Sequence, residues 1–149
     1  MSLTARLKED TNAAMRAGDK PRLSVLRFAL AAIKQREVDS RTTLDDAGVV
    51  AVLEKLIKQG RESVAQYQSG GRDDLVAKES VEIAILEQYL PARLSAPELD
   101  ALIADVIRET GAASVKDMGK VMSAIKTKAA GRVDMSAVNA RVRALLGTG

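Results

Sequence analysis

The sequence contains neither cysteine nor histidine. Without cysteine there are no disulfides and no thiolate nucleophile, a composition that fits a reducing compartment. Without histidine as well, zinc and most transition-metal sites lose their usual ligands, and Ser-His-Asp and Cys-His catalysis are excluded. An enzyme built from this chain would have carboxylates, lysine, arginine, serine, threonine and two tyrosines to work with. Aromatic residues make up 2% of the chain and tryptophan is missing. No run of roughly eighteen uncharged apolar residues occurs, so no membrane-spanning helix is expected. The start, M-S-L-T-A-R-L-K-E-D, has acids and no long apolar run, so it does not read as a secretory signal. Together these absences lead to the expectation of a cytoplasmic protein with no metal and no cofactor.

What is present is leucine, valine, isoleucine, alanine and methionine, within an apolar share of 46%. That mix favours packed helices over sheets, and no strand or hairpin pattern interrupts it. The expected fold is all-α, an N-terminal helical domain of four helices (residues 1–93) followed by a three-helix module (residues 94–149). The first helix runs from Ser2 to Ala17 and stops at Gly18. Asp19 caps the second, with Pro21 in its first turn and Leu23, Leu26, Leu30 and Ile33 at helical spacing. Thr43 and Asp46 have capping-box spacing at the start of the third, which continues through Gly60 to the Gly70-Gly71 turn. Asp73 caps the fourth, whose run V-E-I-A-I-L-E-Q-Y-L marks it as the most buried helix and ends at Pro91. Ser95 and Glu98 form a capping box before the fifth helix, which ends at Gly111. The last begins near Asp134 and turns Met135, Val138, Val142 and Leu145 inward.

The sixth helix, Ser114 to Arg132, carries the most functional information. Val115, Met118, Val121, Met122, Ile125 and Ala129 fall within an arc of about 120°, with Lys116, Lys120 and Lys128 on the other side. Ser114 and Asp117 set its start as a capping box, and Gly131 suits its end. From Thr110 to Gly149 there are seven cations (Lys116, Lys120, Lys126, Lys128, Arg132, Arg141 and Arg143) against two anions. Residues 1–109 hold sixteen cations against eighteen anions. Such asymmetry points to a polyanionic partner, bound by phosphate contacts that are salt-sensitive and largely indifferent to sequence. The competing reading is a solvated helix face. No aromatic follows Tyr89, which argues against base stacking and for a folded RNA recognised by shape and backbone. Gly119 either lets a phosphate approach closely or serves helix packing. Glu79, Glu82 and Glu87 lie on one helix, but no nucleophile or metal ligand accompanies them, so they read as a solvated flank.

Several segments together resemble a known family. They are D-K-P-R-L-S-V-L-R from Asp19 to Arg27, G-R-D-D-L-V-A-K-E-S-V-E-I-A-I-L-E-Q-Y-L-P from Gly71 to Pro91, K-D-M-G-K-V-M from Lys116 to Met122, G-R-V-D, and Val138-Asn139. In order and over essentially the whole chain, they are similar to the YqeY family of small helical proteins. These share a tail domain with GatB, the B subunit of the glutamine-dependent Asp-tRNA/Glu-tRNA amidotransferase. The resemblance implies a two-part helical fold and a tRNA-contacting C-terminal module. It also brings an inherited label, carbon–nitrogen ligase with glutamine as amido donor, which no nucleotide-binding signature in this chain supports. Two positions depart from the family pattern: Ser123 stands where another glycine is frequent, and Gly60 where a charged residue is usual. The expectation is an accessory protein without a catalytic site that binds tRNA through its C-terminal module. The alternative is an adaptor for an aminoacyl-tRNA synthetase or an amidotransferase subunit, docking through a groove between the N-terminal helices.

Overall fold

The computed structural model describes residues 1–129 and 132–147. Among these the chain is all-α, and it separates into two compact units, Met1–Leu90 and Pro91–Gly149.

The first unit holds α1 (Leu3–Ala17), α2 (Lys20–Ser40), α3 (Asp46–Ser69) and α4 (Asp73–Glu87). Local chemistry sets most of their ends. Ser2 Oγ accepts from the Ala5 N–H at 3.1 Å, and Asp19 Oδ1 from the Arg22 N–H at 3.2 Å. Gly18 closes α1 in the left-handed region at φ 70°, where a Cβ is costly. Two caps differ from the sequence reading. The cap of α3 is Asp45, whose Oδ1 accepts from the Gly48 N–H at 2.8 Å, in place of the Thr43–Asp46 box. Asp46 is instead drawn to α1, where its Oδ1 accepts from the Leu3 N–H at 3.0 Å. At α4 the capping position is Arg72, without a side-chain bond, and Asp73 lies inside the first turn.

Leu7, Leu26, Ile33, Val49, Leu53 and Ile57 form the centre of this unit's core, joined by Leu86 and Tyr89. The most buried helix of this unit is α3, with Val49, Val50, Leu53, Ile57 and Gly60 inside; α4 buries only Ile85 and Leu86. The apolar run of α4 overstated its burial because Val81 lies on the outer side, 53% exposed. Helix α3 is continuous through Gly60, and the glycine has a packing reason. A Cβ there would stand 3.0 Å from Ile83 Cγ1 and 3.1 Å from Glu79 Oε1 of α4. Burial, and then the neighbouring Glu82, push the Glu79 carboxyl above its ordinary range.

Tyr89, just past α4, ties three helices together. It is 2% exposed, and its hydroxyl donates to Asp10 Oδ2 of α1 at 2.6 Å. The same hydroxyl accepts from Arg22 Nη2 of α2 at 3.1 Å, while Arg22 Nη1 donates to Gln88 Oε1 at 3.0 Å. The Arg6 guanidinium lies over the ring, 4.8 Å from its centroid. Burial, then the bond to Asp10, push the phenol from 10.0 up to about 12.

The second unit holds α5 (Ala96–Thr110), a 3-10 turn (Val115–Asp117), α6 (Met118–Lys128) and α7 (Met135–Leu146). The Ser95–Glu98 box is complete: Ser95 Oγ accepts from the Glu98 N–H at 3.2 Å and Glu98 Oε1 from the Ser95 N–H at 3.1 Å. The core is Ile103, Val106, Val121, Ile125, Val138, Val142 and Leu146. Two inward assignments change. Leu146 takes the place expected of Leu145, since it continues the four-residue spacing of Val138 and Val142 and leaves Leu145 49% exposed. Val115 is also outside, because the expected sixth helix begins as a 3-10 turn. Gly131, read as the end of that helix, lies outside the described residues; the last capping position described is Ala129. Residues 91–95 belong to this unit, as the Leu94 N–H donates to the Arg132 carbonyl at 2.9 Å and Arg132 Nε to the Ala92 carbonyl at 2.9 Å.

Gly60→Val is expected to lower stability by about 2 kcal/mol in urea denaturation, from overpacking against Ile83. Gly60→Ala is expected to cost less, because a helix-propensity gain of about 1 kcal/mol opposes the crowding. Tyr89→Phe is expected to cost about 1–2 kcal/mol through the lost bonds to Asp10 and Arg22. The folded phenol gives up its proton later than the unfolded one. Its contribution is therefore complete below pH 10 and is lost as pH rises toward about 12. Wild type should lose more stability than Tyr89→Phe between pH 9 and pH 12, from about one unit below the ordinary phenol value up to the raised one.

Candidate nucleic-acid interface

The seven cations proposed from the sequence all fall in the second unit, and the structure sorts them by what each already holds. Lys128 Nζ lies 2.5 Å from Glu109 Oε2 of α5. Arg141 makes a two-pronged pair with Asp100, also of α5, with Nε to Oδ1 and Nη2 to Oδ2 both at 2.5 Å. Arg132 is partly buried and spends its Nε on the Ala92 carbonyl. Lys116, Lys120, Lys126 and Arg143 are exposed, and no salt bridge holds them among the described residues.

Lys116 and Lys120 are neighbours, one turn apart across the junction of the 3-10 turn and α6. Asp117 lies between them in sequence but is committed to the backbone. Its Oδ2 accepts from the Ala113 N–H at 2.9 Å and the Ser114 N–H at 3.4 Å. Those two N–H groups hold its carboxyl below the ordinary range, with Lys120 adding a smaller effect. Gly119 borders the lysines and faces open space, with nothing within 4 Å of where a Cβ would stand. Helix packing therefore does not explain Gly119. Ser123, one turn further on, is also exposed. Lys126 stands about 120° round α6 from Lys120, and Arg143 projects from α7. The arrangement thus offers one adjacent pair of free ammonium groups beside an unobstructed strip of backbone, with two further free cations apart from it.

Asp100 and Glu109 were the residues missed. Both belong to α5, and a charge count that begins at Thr110 leaves them out. Counted over the whole unit, Pro91–Gly149 carries nine cations against six anions, and Met1–Leu90 carries fourteen of each. The excess of three positive charges still lies wholly in the second unit. Among the described residues no three His, Cys, Asp or Glu side chains converge to hold a metal ion.

Comparison with known proteins places the chain. The family described as Yqey-like protein matches residues 4–146. The chain belongs to the YqeY family. It is also similar to proteins named "Altered inheritance of mitochondria protein 41, mitochondrial". The one from Pyrenophora tritici-repentis is 30% identical over 148 residues, covering 95% of this chain and 80% of the relative. Those from Kluyveromyces lactis and Eremothecium gossypii are 39% and 41% identical over 108 and 100 residues. These two matches cover 70% and 65% of this chain but only 58% and 55% of the relatives. The chain thus spans less than two thirds of the length of those two YqeY relatives.

The cytoplasmic expectation is corrected by these names, which are those of mitochondrial proteins. Absence of cysteine is compatible with more than one compartment, so composition had no power to choose between them. Among the described residues no helix is long and apolar enough to cross a membrane.

Proposed function

We propose that this YqeY-family chain is an RNA-binding accessory protein, without a catalytic site of its own, whose second unit engages a folded RNA, tRNA being the first candidate. The observation that carries this reading is the adjacent pair Lys116 and Lys120, exposed, unpaired and bordered by the open backbone at Gly119. Phosphate oxygens need donors that approach closely and are not already satisfied, and these two ammonium groups meet both conditions. Lys126 and Arg143 extend the positive field. Lys128, Arg141 and Arg132 contribute less, because each is held by the protein itself.

The unit has no aromatic residue, so recognition would rest on backbone and shape, the mode suited to a structured RNA. The charge excess supports long-range attraction of such a polyanion, which strengthens at low salt. The likeness to a tRNA-contacting tail agrees with this reading.

Filter titrations of tRNA at several salt concentrations provide the test. The logarithm of the association constant should fall linearly with the logarithm of salt. Lys116→Glu/Lys120→Glu should weaken binding by about tenfold or more and flatten the slope by about one unit per lysine. Lys128→Gln and Arg141→Gln should each change affinity by less than about threefold, since their charges are already offset. A flat salt response overturns the reading, as does equal loss from all four positions.

A further inference from the structure

Helix α2 carries a second apolar seam that the other helices of its own unit leave uncovered. Its core side holds Val25, Leu26, Ala29 and Ile33. On the far side of the helix, about 115–175° round from that core stripe, Phe28 is 65% exposed and Val38 59%, with Ala31 exposed between them. The spacings 28, 31 and 38 follow the three-and-four alternation of a coiled-coil seam, and exposed Ser24 and Gln35 occupy the intervening seam positions.

A row of cations borders this seam. Lys20, Arg27 and Lys34 recur every seven residues, Arg27 and Lys34 each one position before a seam residue and Lys20 one heptad earlier before Pro21, and all three are exposed. None of them forms a salt bridge among the described residues. In a helix pair, charges at this flanking position meet charges of the partner and select it.

We infer that the Phe28–Ala31–Val38 seam of α2 docks an amphipathic helix of a partner protein whose own apolar seam is flanked by aspartate or glutamate. The partner's apolar side chains cover Phe28 and Val38, and its carboxylates meet Lys20, Arg27 and Lys34. A second copy of this chain fits poorly. Antiparallel self-pairing sets the cation row against itself, and parallel self-pairing sets Lys20 against the buried Val25 and Arg27 against Ala32, leaving only Lys34 opposite an acid, Asp39. An anionic membrane surface fits less well, since the seam is narrow and includes Ser24 and Gln35, whereas interfacial helices present a broad apolar face. Phosphate contacts with RNA would leave the seam uncovered.

The test is a selection of helical peptides, randomised at seam and flanking positions, against the full chain. Selected peptides are expected to carry an apolar seam with acidic flanks. Both Phe28→Ala and Arg27→Glu/Lys34→Glu should weaken them by about tenfold or more, and peptides with lysine substituted in the flanks should recover binding to Arg27→Glu/Lys34→Glu. All three positions are exposed, so thermal melts of the variants should match wild type within a few degrees. The inference is overturned if selection yields no acidic bias, or if neither variant weakens the selected peptides. It is equally overturned if the double charge reversal abolishes binding to tRNA or to phosphatidylglycerol vesicles while leaving peptide binding intact. Loss of tRNA binding in Lys116→Glu/Lys120→Glu, with peptide binding unchanged, separates this surface from the one on the second unit.

Discussion

The two-pronged contact between Arg141 and Asp100, with its counterpart between Lys128 and Glu109, governs what the second unit can offer to a polyanion. Exposed ion pairs of this kind add only about 0–1 kcal/mol to stability. Their larger consequence is for availability. A phosphate approaching Arg141 must compete with a carboxylate already held by two hydrogen bonds, whereas one approaching Lys116 displaces only water. The helix that supplies both acids, α5, thereby decides which cations of α6 and α7 remain unclaimed. Net charge alone would have treated all seven as equivalent.

The same logic separates the two units of the chain. Met1–Leu90 carries fourteen charges of each sign, yet it is not electrically featureless. Asp10, Glu37, Asp45 and Asp46 are drawn into bonds with Tyr89 or with backbone N–H groups in or just before the first turns of helices. Among the described residues the row Lys20, Arg27 and Lys34 is left without salt bridges. A neutral sum can therefore coexist with a locally cationic helix edge, and what matters is where the anions are spent.

Much of the fold was legible because helix ends are written in short-range chemistry. Ser2, Asp19, Ser95 and Asp134 act within three residues of themselves, and Gly18 and Gly111 adopt a backbone conformation that other residues resist. Where several candidates stand together, tertiary contacts choose. The Thr43–Asp46 spacing suggests one box, but Asp45 takes the cap of α3 and the Leu3 N–H takes Asp46. The candidate cations were legible by type and position, but their pairing was not. It depends on α5 meeting α6 and α7, a relation that no local window contains.

Gly60 and Gly119 show the same limit from the packing side. Both are glycines in helices, where each should weaken the helix by about 1 kcal/mol relative to alanine. Gly60 admits Ile83 of the neighbouring helix to within contact distance, while Gly119 faces nothing. Sequence spacing cannot tell them apart, because each is defined by what stands opposite. Helix α2 presents this ambiguity at the scale of a whole element. Periodicity found Leu23, Leu26, Leu30 and Ile33 and correctly assigned that side to the interior. Phe28, Ala31 and Val38 obey an equally good helical spacing on another side, and nothing in the pattern ranks one stripe above the other. A helix that is apolar on two sides must be covered on two sides or leave one exposed. Burial in the unit accounts for the first stripe only, so the second is where the chemistry of an outside partner has to be sought.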